Sequence, residues 1–142
     1  MASVIPNEAK GSILNNEFDW AGNTYKLMLL TSSHTNNIDT QQYISDVSTN
    51  ETSGTGYTAG GATVSGLTVT VDDATDTAFL DATNLTFSNV TITFRYGALY
   101  EDTGTPATSK IVAIIDFTGA DLAPYAGDFA ITWATDGIVK LS

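Results

Sequence analysis

From Leu67 to Leu141, apolar residues recur at every second position in short runs, and turns rich in Thr, Asp and Gly separate the runs. Alternation of this kind puts one set of side chains on one face of a strand. The first clear strand comes earlier, over Thr24 to Thr31, with Tyr25, Leu27 and Leu29 on one face and Met28 and Leu30 on the other. Apolar character on both faces predicts a strand covered on both sides. Leu67, Val69 and Val71 alternate with Thr68 and Thr70, which predicts a half-buried strand, and a short strand anchored by Phe79 follows over Thr77 to Asp81. The longest strand is predicted over Val90 to Tyr100, with Val90, Ile92, Phe94, Tyr96, Ala98 and Tyr100 on one face and Thr91, Thr93, Arg95 and Gly97 on a polar one. Lys110 to Phe117 is apolar on both faces and predicts a central strand. Phe129, Ile131 and Trp133 alternate with Ala130 and Thr132, and Asp136-Gly137 is a hairpin signal before a last strand over Ile138 to Leu141. Phe79, Phe94, Phe117, Phe129 and Trp133 fall on inward phases.

Two segments depart from this pattern. Ile38, Tyr43, Ile44 and Val47 have a spacing that permits a helix, with Asp39 as its cap, so at most one short helix is expected near residues 38–47. Residues 1–17 are weakly patterned and read as an N-terminal arm or edge segment, leaving 18–142 as the folded domain. Ser53 to Gly61 holds four glycines around Tyr57 and reads as a shaped loop rather than a linker. About seven or eight strands at roughly ten-residue spacing predict an all-β, single-domain antiparallel β-sandwich, Greek-key or jelly-roll-like.

Composition adds exclusions. Only 15% of residues are charged, and sixteen Asp or Glu face five Lys or Arg, for a formal net charge of −11. Lys10, Lys26, Arg95, Lys110 and Lys140 are scattered, so the clustered cations needed for a phosphate backbone or an anionic bilayer are missing, and neither nucleic acid nor membrane is expected as a partner. There is no Cys, which removes disulfides and thiolate metal sites. Met1 to Lys10 lacks a basic head and an apolar run, so no signal peptide is read and synthesis in the cytoplasm is expected.

Candidate chemistry is thin. Asp72, Asp73 and Asp76 share a turn, but their spacing does not match a calcium loop, and Asp is common in turns because it caps its own backbone. Asp116 is the one acid inside an apolar strand, where a bond to Arg95 or to a backbone amide explains it. His34, among Ser32, Ser33 and Thr35, is read as a solvated loop residue, and no nucleophile turn accompanies it. No catalytic residue, metal site or cofactor is therefore assigned, and the chain is not read as an enzyme. Tyr57, Tyr100 and Tyr125 fall in loops or at strand ends and, with Gly60 and Gly61, form the candidate interface.

Tyr25-Lys-Leu-Met-Leu-Leu-Thr-Ser, Gly54-Thr-Gly-Tyr-Thr-Ala-Gly-Gly61, Val90-Thr-Ile-Thr-Phe-Arg-Tyr-Gly-Ala-Leu-Tyr100 and Ile111-Val-Ala-Ile-Ile-Asp-Phe117 together resemble a family of small structural proteins of tailed bacteriophages. The resemblance spans residues 20–142 and is one of fold pattern more than of chemistry. It implies a virion component. Small size and acidity favour a head decoration, or cement, protein that bridges capsomers of the expanded shell, with the major capsid protein as partner and a homotrimer as the expected assembly. The alternative is a tail or fibre-tip module that binds host surface glycans through exposed tyrosines.

Overall fold

A computed structural model describes the whole chain, Met1–Ser142. The chain forms an all-β sandwich of ten strands with one short helix, all strand pairs antiparallel. In chain order they are β1 (Ala2–Val4), α1 (Asn7–Leu14), β2 (Tyr25–Leu30), β3 (Ala62–Val64), β4 (Thr68–Asp72), β5 (Thr77–Asp81), β6 (Leu85–Val90), β7 (Tyr96–Glu101), β8 (Ile111–Asp116), β9 (Gly127–Ile131) and β10 (Val139–Leu141). Five strands make one sheet in the order β1-β8-β7-β2-β3, and the others form the sheets β10-β5-β4 and β6-β9.

The two-sided apolar strands lie where the pattern predicts. β8 and β2 flank β7 inside the five-stranded sheet. Leu27, Leu29, Leu99 and Ile115 pack inward against Leu80, Phe87, Val90, Ile131 and Val139 of the smaller sheets. Met28, Leu30, Ala98, Ile111 and Ile114 form a second buried cluster on the opposite face, roofed by Ile44 and Val47. Burial of each of the larger side chains among them contributes roughly 1.5–3 kcal/mol.

The single long strand expected over Val90 to Tyr100 is two strands. β6 ends at Val90, residues between it and β7 make only isolated bridges, and β7 begins at Tyr96. The inward phase slips across this break: Val90, Ile92 and Phe94 join the main core, then Leu99 does, while Ala98 and Tyr100 turn to the second cluster. The slip lets one continuous run serve two layers. Gly97 lies just after it, where an added Cβ would meet the Phe117 ring at 2.9 Å and Leu27 at 3.1 Å.

The helix expected near residues 38–47 is also corrected. That region holds only one 3-10 turn, Ile44–Asp46, and a second, Ser48–Asn50, follows it. Its backbone bonds to the start of β8 instead: Ile44 N–H donates to Ser109, and Ile111 N–H donates to Gln42. Asp46, not Asp39, is the capping acid, accepting the amides of Gln42 and Tyr43 at 2.9 Å each. The α-helix lies at Asn7–Leu14, inside the weakly patterned N-terminal segment. Pro6 precedes it, where a residue without an N–H is tolerated, and Ala9 and Ser12 face inward. Within residues 1–17, β1 pairs with β8 along the edge of the five-stranded sheet. Lys110 ties the segment down, bonding to Ser12 at 2.9 Å and to Glu17.

Asp136-Gly137 does turn the chain, but not into a hairpin. β9 pairs with β6 and β10 with β5, so the turn carries the chain from one sheet to another. Gly137 has φ of +79°, and a Cβ there would lie 2.4 Å from the Leu80 carbonyl oxygen, so only glycine fits.

Candidate functional site

Four of the five candidate interface residues meet around a residue the sequence pattern does not single out, Glu51. Its Oε1 accepts the Tyr57 hydroxyl at 2.8 Å and the Gly60 amide at 2.6 Å. The Tyr57 hydroxyl also accepts the Leu29 amide at 3.0 Å, and the Tyr100 hydroxyl donates to the Gly60 carbonyl at 2.7 Å. Gly61 closes the loop against β2. The Tyr57 ring stacks on Phe87 at 5.9 Å. Burial raises the Tyr57 hydroxyl well above its ordinary range and pushes Tyr100 up to about 12. Both phenols are thus neutral hydrogen-bond donors near neutral pH.

This placement corrects the expectation of a tyrosine platform. Tyr100 is only 4% exposed and belongs to the second core cluster, while Tyr57 is half-buried against the main one. Their polar ends are directed to partners within the chain, so an aromatic body with one satisfied polar tip packs inside the fold. Tyr125 alone of the three stands out, at 84% exposed. It borders an open groove of about 410 Å³ lined by Thr31, Glu51, Thr52, Thr91 and Thr93 among others. A second groove of about 380 Å³ also contacts Glu51, and Lys26 and Asp102 form an ion pair of 2.7 Å on its wall.

The remaining titratable candidates are structural. His34 is 2% exposed rather than solvated. Its Nε2 lies 2.9 Å from Asn36 Oδ1, and its ring meets the Tyr96 ring edge-on at 5.2 Å. The surrounding Ser and Thr read as a wet loop, but the Tyr96 ring supplies an apolar surface that the imidazole covers. Burial lowers its pKa. Asp116 Oδ2 accepts from Arg95 Nη2 at 2.8 Å, and its Oδ1 accepts the Gly119 amide at 2.8 Å. The Arg95 bond holds the carboxyl below the usual range. Asp72 caps its own turn, accepting the Ala74 amide at 3.0 Å and the Thr75 hydroxyl at 2.8 Å.

A surface feature emerges where the sequence predicted a half-buried strand. β4 is a sheet edge, and Thr68, Val69, Thr70 and Val71 are exposed on both of its faces. Val69, Leu80 and Val139 form one cross-strand row, and Val71, Ala78 and Leu141 form the next. Leu80 and Val139 are buried in the core, but Val69 is 57% and Val71 70% exposed. The apolar face of the small sheet therefore extends beyond the layer that covers it. Ile13, Trp20, Val69, Leu80 and Leu141 help line a wholly apolar recess of about 80 Å³ along this overhang. Alternation in the sequence correctly places these valines on one face; which end of that face is covered depends on the opposite sheet.

Compared with known proteins, the chain matches no family model, no curated protein and no solved structure.

Proposed function

We propose that this chain is a non-enzymatic structural protein of a tailed-phage virion, a head decoration protein that adds contacts between capsomers of the expanded shell. The carrying observation is the exposed apolar overhang at β4 on a chain with a net charge of −11. A protein that must stay dispersed until its shell matures and then dock needs both features. A ready apolar contact supplies binding free energy, and like charge keeps free copies apart. Binding that favours the assembled shell stabilises it by mass action. The major capsid protein is the proposed partner, with a trimer about a local threefold axis as the assembly.

Mixing the chain with unexpanded and expanded empty capsids and pelleting them tests this. Co-sedimentation with the expanded form, together with a higher temperature of shell disruption, is the expected result. Absence of pelleting with either form would remove the reading. The exposed Tyr125 beside its threonine-lined groove favours one rival, a module for host surface glycans, since an aromatic face over polar walls suits a sugar ring. Retention on a glycan array that is lost in Tyr125→Ala would support that rival.

A further inference from the structure

We infer that β4 is an open docking edge that takes an extended partner segment as an added strand, one in which apolar residues alternate with Lys or Arg. This deepens the decoration reading, on which it rests, by naming the surface and the chemistry of what lies on it.

The edge is unusual within this fold. β1, β3 and β10 are three residues each. The β6-β9 pair is interrupted by a register shift. β4 has five residues in unbroken register with β5, no neighbour on its other side, and neither Pro nor Lys within it. Exposed edges are usually blunted by such devices, because half of the strand's backbone groups are left free to pair. Its Thr-Val-Thr-Val run is β-branched throughout, a composition suited to pairing.

The two faces of β4 set the partner's pattern. Val69 lines the apolar recess beside Trp20 and Leu80, and Val71 continues the same face in the row with Ala78 and Leu141, so every second partner residue on that face is apolar. Thr70 and Asp72 project to the other face, and the turn beyond carries Asp73 and Asp76. That face runs from Thr68, opposite Asp81, to Asp72 and the acidic turn; its one cation, Lys140, lies two strands away and is paired with Asp136, so charge complementarity favours cationic partner residues at the β4 edge. A second copy of the chain does not fit this description. Lys26, Arg95, Lys110 and Lys140 are already in ion pairs with the chain's own acids, so a copy would bring mainly further carboxylates.

The test uses the full chain, short capped peptides of alternating Val and Lys or Val and Glu, and amide-resolved NMR. The expected result is shifts and slowed exchange at Thr68–Asp72 with the Val/Lys peptide, and about tenfold weaker binding of the Val/Glu peptide. Val69→Thr/Val71→Thr should weaken Val/Lys binding by about tenfold, and Asp73→Asn/Asp76→Asn by about threefold, the latter loss vanishing in high salt. Both pairs alter exposed positions, and retained amide spectra away from β4 confirm folding. Equal binding of the two peptides, or shifts that avoid β4, would overturn the inference. So would a concentration-dependent dimer abolished by Val69→Thr/Val71→Thr, which would make a second copy the occupant. Capsid pelleting separates the two levels. Equal pelleting of the wild type and Val69→Thr/Val71→Thr would overturn this surface and leave the virion reading intact. Peptide binding at β4 without any capsid pelleting would support the surface and remove the virion reading.

Discussion

The Tyr57 hydroxyl donates to Glu51 Oε1 at 2.8 Å while accepting the amide of Leu29 at 3.0 Å. This one hydroxyl fills a gap in a sheet edge. β3 pairs with β2 only as far as Leu27, and the edge resumes where the Thr52 amide donates to the Leu29 carbonyl and Glu51 bridges to Leu30. The Leu29 amide lies between the two stretches and would otherwise be buried without a partner. Tyr57→Phe keeps the ring on Phe87 but strands that amide and one bond to Glu51. Its expected cost is about 1–3 kcal/mol by urea denaturation. Glu51→Gln, which retains an acceptor oxygen for Tyr57, should cost less than Tyr57→Phe. Equal stability of Tyr57→Phe and the wild type would contradict this role.

Two glycines of similar backbone angle separate steric clash from strain. Gly61 and Gly104 both have φ of +83°. A Cβ at Gly61 would lie 1.8 Å from the Leu27 carbonyl oxygen, whereas at Gly104 nothing lies within 4 Å. Gly104→Ala should therefore cost only the left-handed backbone penalty, about 1–2 kcal/mol. Gly61→Ala must also displace β2 or the loop and should cost clearly more, about 3–5 kcal/mol. Urea midpoints of the two variants check the order.

How much was legible in the sequence follows from where burial comes from. β2 and β8 were readable because both of their faces are apolar and they lie well inside one sheet, so period and burial agree. The Val90 to Tyr100 run misled because its alternation continues through Arg95 while the chain crosses between layers, a change of partner that no periodicity records. β4 showed its alternation but not its exposure, since cover is supplied by residues remote in sequence. α1 is not legible in the sequence because an edge helix with only Ala9 and Ser12 buried leaves little apolar pattern. The tyrosines of the candidate site are conspicuous by type, but Tyr57 is directed inward by Glu51 and Tyr100 by the Gly60 carbonyl, polar partners that no spacing singles out.

Removal of residues 1–17 should destabilise the chain rather than simply trim it. β1 covers the edge of β8, Ala9 is buried in the main core, and Ile5 and Ile13 pack against that core. The truncation uncovers this apolar surface and the β8 edge together, so lower solubility and an earlier thermal transition are expected. Lys110→Met, which releases Glu17 and Glu8 but keeps the side-chain stem, should shift stability far less than the truncation, because the partner carboxylates are exposed and screened by solvent. A truncated chain that melts like the full one would show that the segment is dispensable for the fold.

Acid should destabilise the protein in two separable limbs. Burial holds the His34 pKa in the folded chain below its ordinary 6.5. As pH falls below that value, the unfolded chain takes up a proton that the folded chain refuses, so stability declines until the folded pKa is crossed. Asp102 and Asp116 act lower. Lys26 and Arg95 hold them below their ordinary 3.8, so their contribution is complete above that value and is lost as pH falls through their folded pKa values. Glu101 opposes this trend, because burial raises it above 4.5 and its protonation on acidification relieves the folded state. Urea midpoints across the acid range should therefore fall below 6.5 and fall again at lower pH as Glu17, Asp102 and Asp116 protonate, with Glu101 acting in the opposite sense. His34→Asn should abolish the upper limb and leave the lower, while Asp116→Asn should shrink only the lower. An upper limb that survives His34→Asn would assign it to another group and remove His34 as its source.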